Sequence, residues 1–239
     1  MAMNPKLLRP RSASNAAPPQ PTDPFFSNVS LLLHFDGAIS DASNNSLAVT
    51  AEGDAALSTA QSKFGTGSCY FDADGDSLLL ADSPLLTSGS GDFTAEAWIR
   101  PSSASGVLGI FAKRNSPNDS GLEFAVYSID GYSHLVVSVD GTTWEYNSGG
   151  TQAIPAGEWA HVAFVKSGTT VTVYVNGIQS QSGSISGAIH DGGEPLYIGS
   201  GGYPGQFFDG YIDEVRVTQG IARYEAAAFT PPDAPFPDQ

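Results

Sequence analysis

The 239-residue chain reads as an all-β protein, a two-sheet antiparallel sandwich, on three observations. Val171, Val173 and Val175 alternate with Thr172 and Tyr174, the period of two that a half-buried strand requires. Dipeptides suited to tight turns recur at Asp74-Gly75, Asp130-Gly131, Asp140-Gly141, Asn176-Gly177 and Gly192-Gly193, and Asn-Gly is a strong hairpin signal. The 27 Gly and 16 Pro break the chain into many short apolar runs, with no βα alternation and no nucleotide-binding glycine motif.

In chain order, residues 1–24 come first, with Pro5, Pro10, Pro18, Pro19, Pro21 and Pro24. Proline fixes φ and removes a backbone donor, so this segment is expected to be an extended arm. Strands are expected at 30–35, 47–51, 67–71, 77–81 and 93–100. They continue at 107–113, 122–128, 134–139, 142–146, 159–166, 170–175, 178–182, 195–199 and 210–218. A short helix is expected at 220–227, where Ile221, Tyr224 and Ala228 would share a face. Residues 231–239 are Pro-rich again, with Phe236 able to dock on a surface or the whole tail free to fray. The expected division is therefore an arm at 1–24, one sandwich domain at 25–230 and a tail at 231–239.

Charge is distributed unevenly. The formal net charge is −15, yet residues 1–22 hold Lys6, Arg9 and Arg11 with no acid, which leaves about −18 on the rest by difference. Such a body repels nucleic acid, and no apolar run is long enough to cross a bilayer. Lys6, Arg9 and Arg11 are the expected anchoring contacts to an acidic partner, the alternative being a solvated tail. Leu7-Leu8 is too short an apolar core for a signal peptide, so the glycosylation patterns at Asn28, Asn44 and Asn118 carry little weight. Cys69, the single cysteine, is expected to be a buried, inert thiol.

Four stretches carry a family likeness: Phe93 to Pro101, Gly157 to Ala163, Val173 to Gly177, and Ile212-Asp213-Glu214-Val215-Arg216. In this order they resemble the landmarks of concanavalin A-like, laminin G-like jelly rolls, over residues 28–228. That fold hosts lectins, adhesion modules, hydrolases and structural parts. The flanks, Asp23 to Gly37 and Gly220 to Pro232, are similar to laminin G-like proteins of tailed bacteriophages and prophages. The resemblance implies a virion structural protein, a capsid decoration, cement or tail-associated subunit assembled in the host cytoplasm. Its partners would be capsid or tail proteins bound through residues 1–24, with a host-surface polysaccharide as a further ligand. A homo-oligomer is compatible with this role, and no residue pattern encodes one. A free carbohydrate-binding or adhesion module is the alternative, and a glycoside hydrolase a remote one.

The chemistry expected is non-enzymatic. Hydrolases of this fold would need paired glutamates, and the 212–216 stretch supplies only Glu214, with Phe208 and Tyr211 upstream. His34, His134, His161 and His190 sit in unrelated contexts. No cofactor is required, but the resemblance implies a structural calcium held by Asp36 and Asp213; otherwise Asp36 caps a turn and Asp213 is a solvated strand residue. The acids at 72–76 read as a hairpin turn, because Ser77 and Ser83 stand where an EF-hand needs Gly and Glu. For a sugar, exposed rings beside polar groups are required, and Tyr132, Trp144, Tyr146 and Tyr203 are the glycan-binding candidates. Trp98 and Trp159 are expected in the core, and Trp144 has the alternative of lying between the sheets.

Overall fold

The computed structural model describes residues 22–114 and 121–239, so Lys6, Arg9, Arg11 and Asn118 lie outside the described residues. The strands are β1 (Val29–Leu33), β2 (Thr50–Glu52), β3 (Ala56–Ser58), β4 (Ser68–Asp72), β5 (Ser77–Leu80), β6 (Phe93–Pro101), β7 (Val107–Lys113) and β8 (Phe124–Ile129). They continue with β9 (Tyr132–Val137), β10 (Tyr146–Ala153), β11 (Ala160–Ser167), β12 (Thr170–Val175), β13 (Ile178–Ser184), β14 (Leu196–Ile198) and β15 (Asp209–Gln219). Sheet A runs β13-β12-β11-β6-β15-β4-β3, with β1 also on β15, and sheet B runs β10-β9-β8-β7-β14-β5-β2. The β12–β13 turn has Asn176 at φ 50° and Gly177 at φ 75°, and the β8–β9 turn has Asp130 at 47° and Gly131 at 79°. Those paired positive angles are what a two-residue type I′ hairpin demands.

The two inner faces close on one core. Val171, Val173 and Val175 enter it from β12, beside Phe93, Phe124 and Phe164, whose ring centroids lie 5.1–6.1 Å apart. Each such ring, fully withdrawn from water, contributes about 1.5–3 kcal/mol. Cys69 is in this core as expected, and burial pushes its thiol up to about 12.

Several local expectations give way to tertiary contacts. The expected 47–51 strand is displaced to β2, and a separate β3 follows it in the other sheet. Residues 142–145 form no strand, because the Asp140 carboxylate accepts the N–H groups of Thr142 and Thr143 and the Thr143 hydroxyl, turning the backbone. The 72–76 turn is not a hairpin: it is a corner that carries the chain from sheet A to sheet B. Asp76 fastens that corner by accepting the N–H groups of Asp54 and Asp72. Trp159 precedes β11 and is only half-buried.

The expected helix at 220–227 is absent, and the helical structure among the described residues is one 3₁₀ turn at Phe26–Asn28. Gly220 sits at φ 76°, and Thr94 Oγ1 donates to the Ile221 carbonyl while accepting the Arg223 N–H. These bonds take the backbone groups a helix would use, and Tyr224 is drawn onto Glu96 by a 2.7 Å hydrogen bond. The segment becomes a strap across the outer face of sheet A.

The tail continues that strap. Phe236 packs on Val29, Leu32 and Phe26, and the Gln239 carbonyl accepts the Asp23 N–H at 2.9 Å. Asp23, inside the expected 1–24 arm, is thereby built into the folded body. Its carboxylate bridges Arg216 Nη1 at 3.0 Å and Arg223 Nη2 at 2.6 Å.

Candidate glycan-binding face

The outer face of sheet B follows from strand register. Tyr197 lies opposite Ala112, Ala112 opposite Ala125, and Ala125 opposite Val136, so one row crosses four strands on a single face. Tyr127 flanks this row, and Trp144 packs against it from the loop before β10. The 200–207 loop then folds down over β7. A Cβ on Gly109 would lie 1.9 Å from the Gly201 nitrogen, so only glycine allows that approach. The loop tip is a tight turn in which Gln206 N–H donates to the Tyr203 carbonyl at 3.2 Å. Pro204 and Gly205, the latter at φ 78°, occupy its centre as a type II turn prefers.

Arg114 organises the rings. Its Nη1 donates to the Tyr127 hydroxyl at 2.9 Å, and its guanidinium carbon lies 4.4 Å from the Tyr203 centroid and 5.3 Å from that of Trp144. Burial raises the Tyr127 phenol pKa even though Arg114 pulls it the other way. Beside this group lies a cleft of about 210 Å³ lined by Glu52, Ser77, Tyr197, Ser200, Tyr203 and Phe207, among others. Apolar ring surface next to hydroxyls and a carboxylate is the surface a sugar ring requires.

Of the four rings expected to bind sugar, the structure brings Trp144 and Tyr203 together around Arg114. Tyr132 is exposed at the β8–β9 turn, at one end of the same sheet. Tyr146 is the exception. It lies opposite Val137, a core residue, and packs against the main core with its ring against Gly183, so it faces inward and offers no platform. Arg114, Tyr197, Phe207 and Glu52 were not singled out from the sequence. Tyr197 alternates with Leu196 and Ile198, a signal that it faces away from the core, but which rings it would meet depends on strand pairing.

Asp36 and Asp213 both grip the 63–66 turn. Asp213 Oδ2 accepts the N–H groups of Lys63 at 2.7 Å and Phe64 at 3.2 Å, while Oδ1 accepts the Glu214 N–H at 2.8 Å. It is fully buried, contrary to the solvated alternative, and burial pushes it up to about 7 against those three donors. Asp36 Oδ1 accepts the Thr66 N–H and hydroxyl, as a turn cap does. Three N–H dipoles pointing at Asp213 place positive charge where a cation would have to lie. The donor set fits an internal clasp and does not fit a calcium site.

Glu214 is equally committed. It adopts φ 51° where β15 changes partner from β4 to β1, and it is buried. Its carboxylate meets His34 Nδ1 at 2.9 and 3.1 Å and accepts the Phe236 N–H at 2.8 Å. Neighbouring Glu96 joins Arg216 Nη2 at 2.8 Å, His161 Nε2 at 3.0 Å and Tyr224 Oη at 2.7 Å beneath the strap. Burial alone would raise the Glu96 pKa, but Arg216 and His161 hold it well below the usual carboxylate range.

Two antiparallel sheets closed on one core define a jelly-roll sandwich. Residues 71–222 match the concanavalin A-like lectin/glucanases superfamily, and the chain belongs to that family. No curated protein matches the sequence. Among solved structures, the binding domain of Paraclostridial Mosquitocidal Protein 1 is similar at 15% identity and TM-score 0.68, covering 83% of this chain and 50% of that one. Domain 4 of AbnA, a GH43 extracellular arabinanase from Geobacillus stearothermophilus solved with arabinotriose, aligns at 22% identity and TM-score 0.63, covering 82% and 94%. Botulinum neurotoxin type C, whose cell entry depends on interaction with two ganglioside molecules, aligns at 13% identity and TM-score 0.61, covering 81% and 48%. The chain thus spans about half the length of these toxin chains.

Proposed function

We propose that this chain is a non-enzymatic surface-binding module that holds a glycan on the outer face of sheet B. The observation that carries the reading is the joining of Tyr203, Trp144 and Tyr127 through Arg114 beside an open cleft. The arabinotriose complex and the ganglioside-dependent toxin are consistent with it at the level of fold. Asp213 and Glu214, the carboxylates nearest to a hydrolase pattern, are buried in structural bonds, which further favours binding over hydrolysis. A glycan array probed with the full chain tests this: a defined set of glycans should bind, and Tyr203→Ala should lose them while its melting temperature holds.

The proposed setting is the surface of a phage virion, with residues 1–24 fixing the domain to a capsid or tail protein. The bond between Asp23 and Gln239 supports an anchorage on the sheet A side, away from the aromatic face. Removing residues 1–21, which spares Asp23, should leave a folded domain that no longer enters particles. Normal incorporation would refute the anchorage and favour a free carbohydrate-binding module.

A further inference from the structure

We infer that the cleft on sheet B selects uncharged oligosaccharides and rejects sialylated or uronic-acid glycans, an inference that rests on the glycan-binding reading above. Among the described residues that line the cleft, Glu52 is the one charged group, and there is no Lys, Arg or His. Strong recognition of a carboxylate uses such cations, or several converging N–H donors. Arg114 does not line the cleft: it stacks on the Tyr203 ring and donates to Tyr127.

The wall of the cleft carries charge of the opposite kind. Glu52, on the edge strand β2, lies opposite Ser77 and presents an exposed carboxylate. The same turn region holds Asp54, Asp72 and Asp76, whose carboxylate oxygens lie within 4.8 Å of one another. The Asp54 pKa is raised first by its side-chain hydrogen bond to Asp76 and then by the charges of Asp72 and Asp76. Tyr197, on the cleft floor, is raised by burial first and then by the charges of Glu52 and Glu194. An incoming anion meets this negative charge with no cation among the described lining residues, since Arg114 stands behind the Tyr203 ring and is committed to Tyr127.

The same groups suit a neutral sugar. An ionised carboxylate is an acceptor only, so Glu52 takes hydrogen bonds from sugar hydroxyls, while Ser77 and Ser200 can both give and take. Tyr197, Tyr203 and Phe207 meet the apolar C–H faces of the ring. At about 210 Å³ the cleft is smaller than the ~300–1,000 Å³ typical of drug-sized sites, a size suited to one sugar residue at a time.

Matched probes test the inference on the full chain. Oligogalacturonate and its fully methyl-esterified form share linkage and length and differ in the charge at C6, and lactose and 3′-sialyllactose form a second pair; an arabino-oligosaccharide adds a neutral pentose. Neutral members should bind at least about tenfold more tightly than their acidic partners, with little dependence on salt, and Glu52→Gln should weaken them by about tenfold. Equal or tighter binding of an acidic member, steep weakening with salt, or an unaffected E52Q variant would overturn the inference while leaving glycan binding intact. Binding to none of the probes, with the protein folded, would count against the glycan reading as a whole and this inference with it.

Discussion

Glu96 shows how burying charge becomes safe only when every oxygen has a partner. Its two oxygens serve Arg216, His161 and Tyr224, so Glu96→Ala should leave Arg216 buried with half its compensation and cost about 3–5 kcal/mol, read as a fall in unfolding free energy. The pH profile follows from the opposed shifts. Glu96 and Asp23 are lowered, so their contribution is present above the unfolded carboxylate range and is lost as pH falls. Asp213 and Glu123 are each raised to about 7 by burial, so their contribution is present below that range and is lost as pH rises through about 7. His34, where the bond to Glu214 outweighs burial, loses its contribution as pH rises through its raised value. The melting temperature should therefore peak at mildly acidic pH and decline toward pH 8; a maximum at alkaline pH would contradict these assignments. Because Asp213 is held by N–H donors, chelation with EDTA should leave the melting temperature unchanged, and stabilisation by added calcium would revive an ion at that turn.

At the level of elements, the 200–207 loop depends on the absence of a side chain beneath it. Gly109→Ala would drive a methyl group into the Gly201 backbone, so the loop should lift, costing about 1–3 kcal/mol and weakening ligand binding more than it weakens the core. Calorimetry paired with a binding assay separates the two effects. Much of the element pattern was legible in the sequence. Val171 to Val175, Asn176-Gly177 and Asp130-Gly131 act through neighbours in the chain, and the structure places them as expected. Tyr224 was not legible as a strap residue, because its partner Glu96 lies 128 positions away, and an isolated i, i+3 apolar pattern looks helical. The site divided the same way. Trp144 and Tyr203 stood out as loop aromatics, whereas Arg114 and Tyr197 gained meaning only when β14 paired between β7 and β5. Tyr146 misled because the Asp140 turn shifts the start of β10 and directs the ring inward.

Across the whole molecule, the strap and tail seal the outer face of sheet A while the ring cluster occupies the outer face of sheet B. Phe236 is the tail's main apolar contact with the body, so Phe236→Ala should cost about 3–5 kcal/mol. The loss should appear in global unfolding, since Val29 and Leu32 belong to the central strand pair β1–β15. The bond from Asp23 to Gln239 puts the start of the 22–114 segment and the end of the 121–239 segment side by side. A carrier that grips the domain by either end of the described chain grips it from the same side, so copies spread over one carrier would all turn their clefts outward together. In such an array, on the proposed glycan-binding reading, avidity would replace affinity: once one copy engages, its neighbours would see an effective ligand concentration on the order of millimolar, and weak single-site binding would be enough to hold the carrier to a glycan-coated surface.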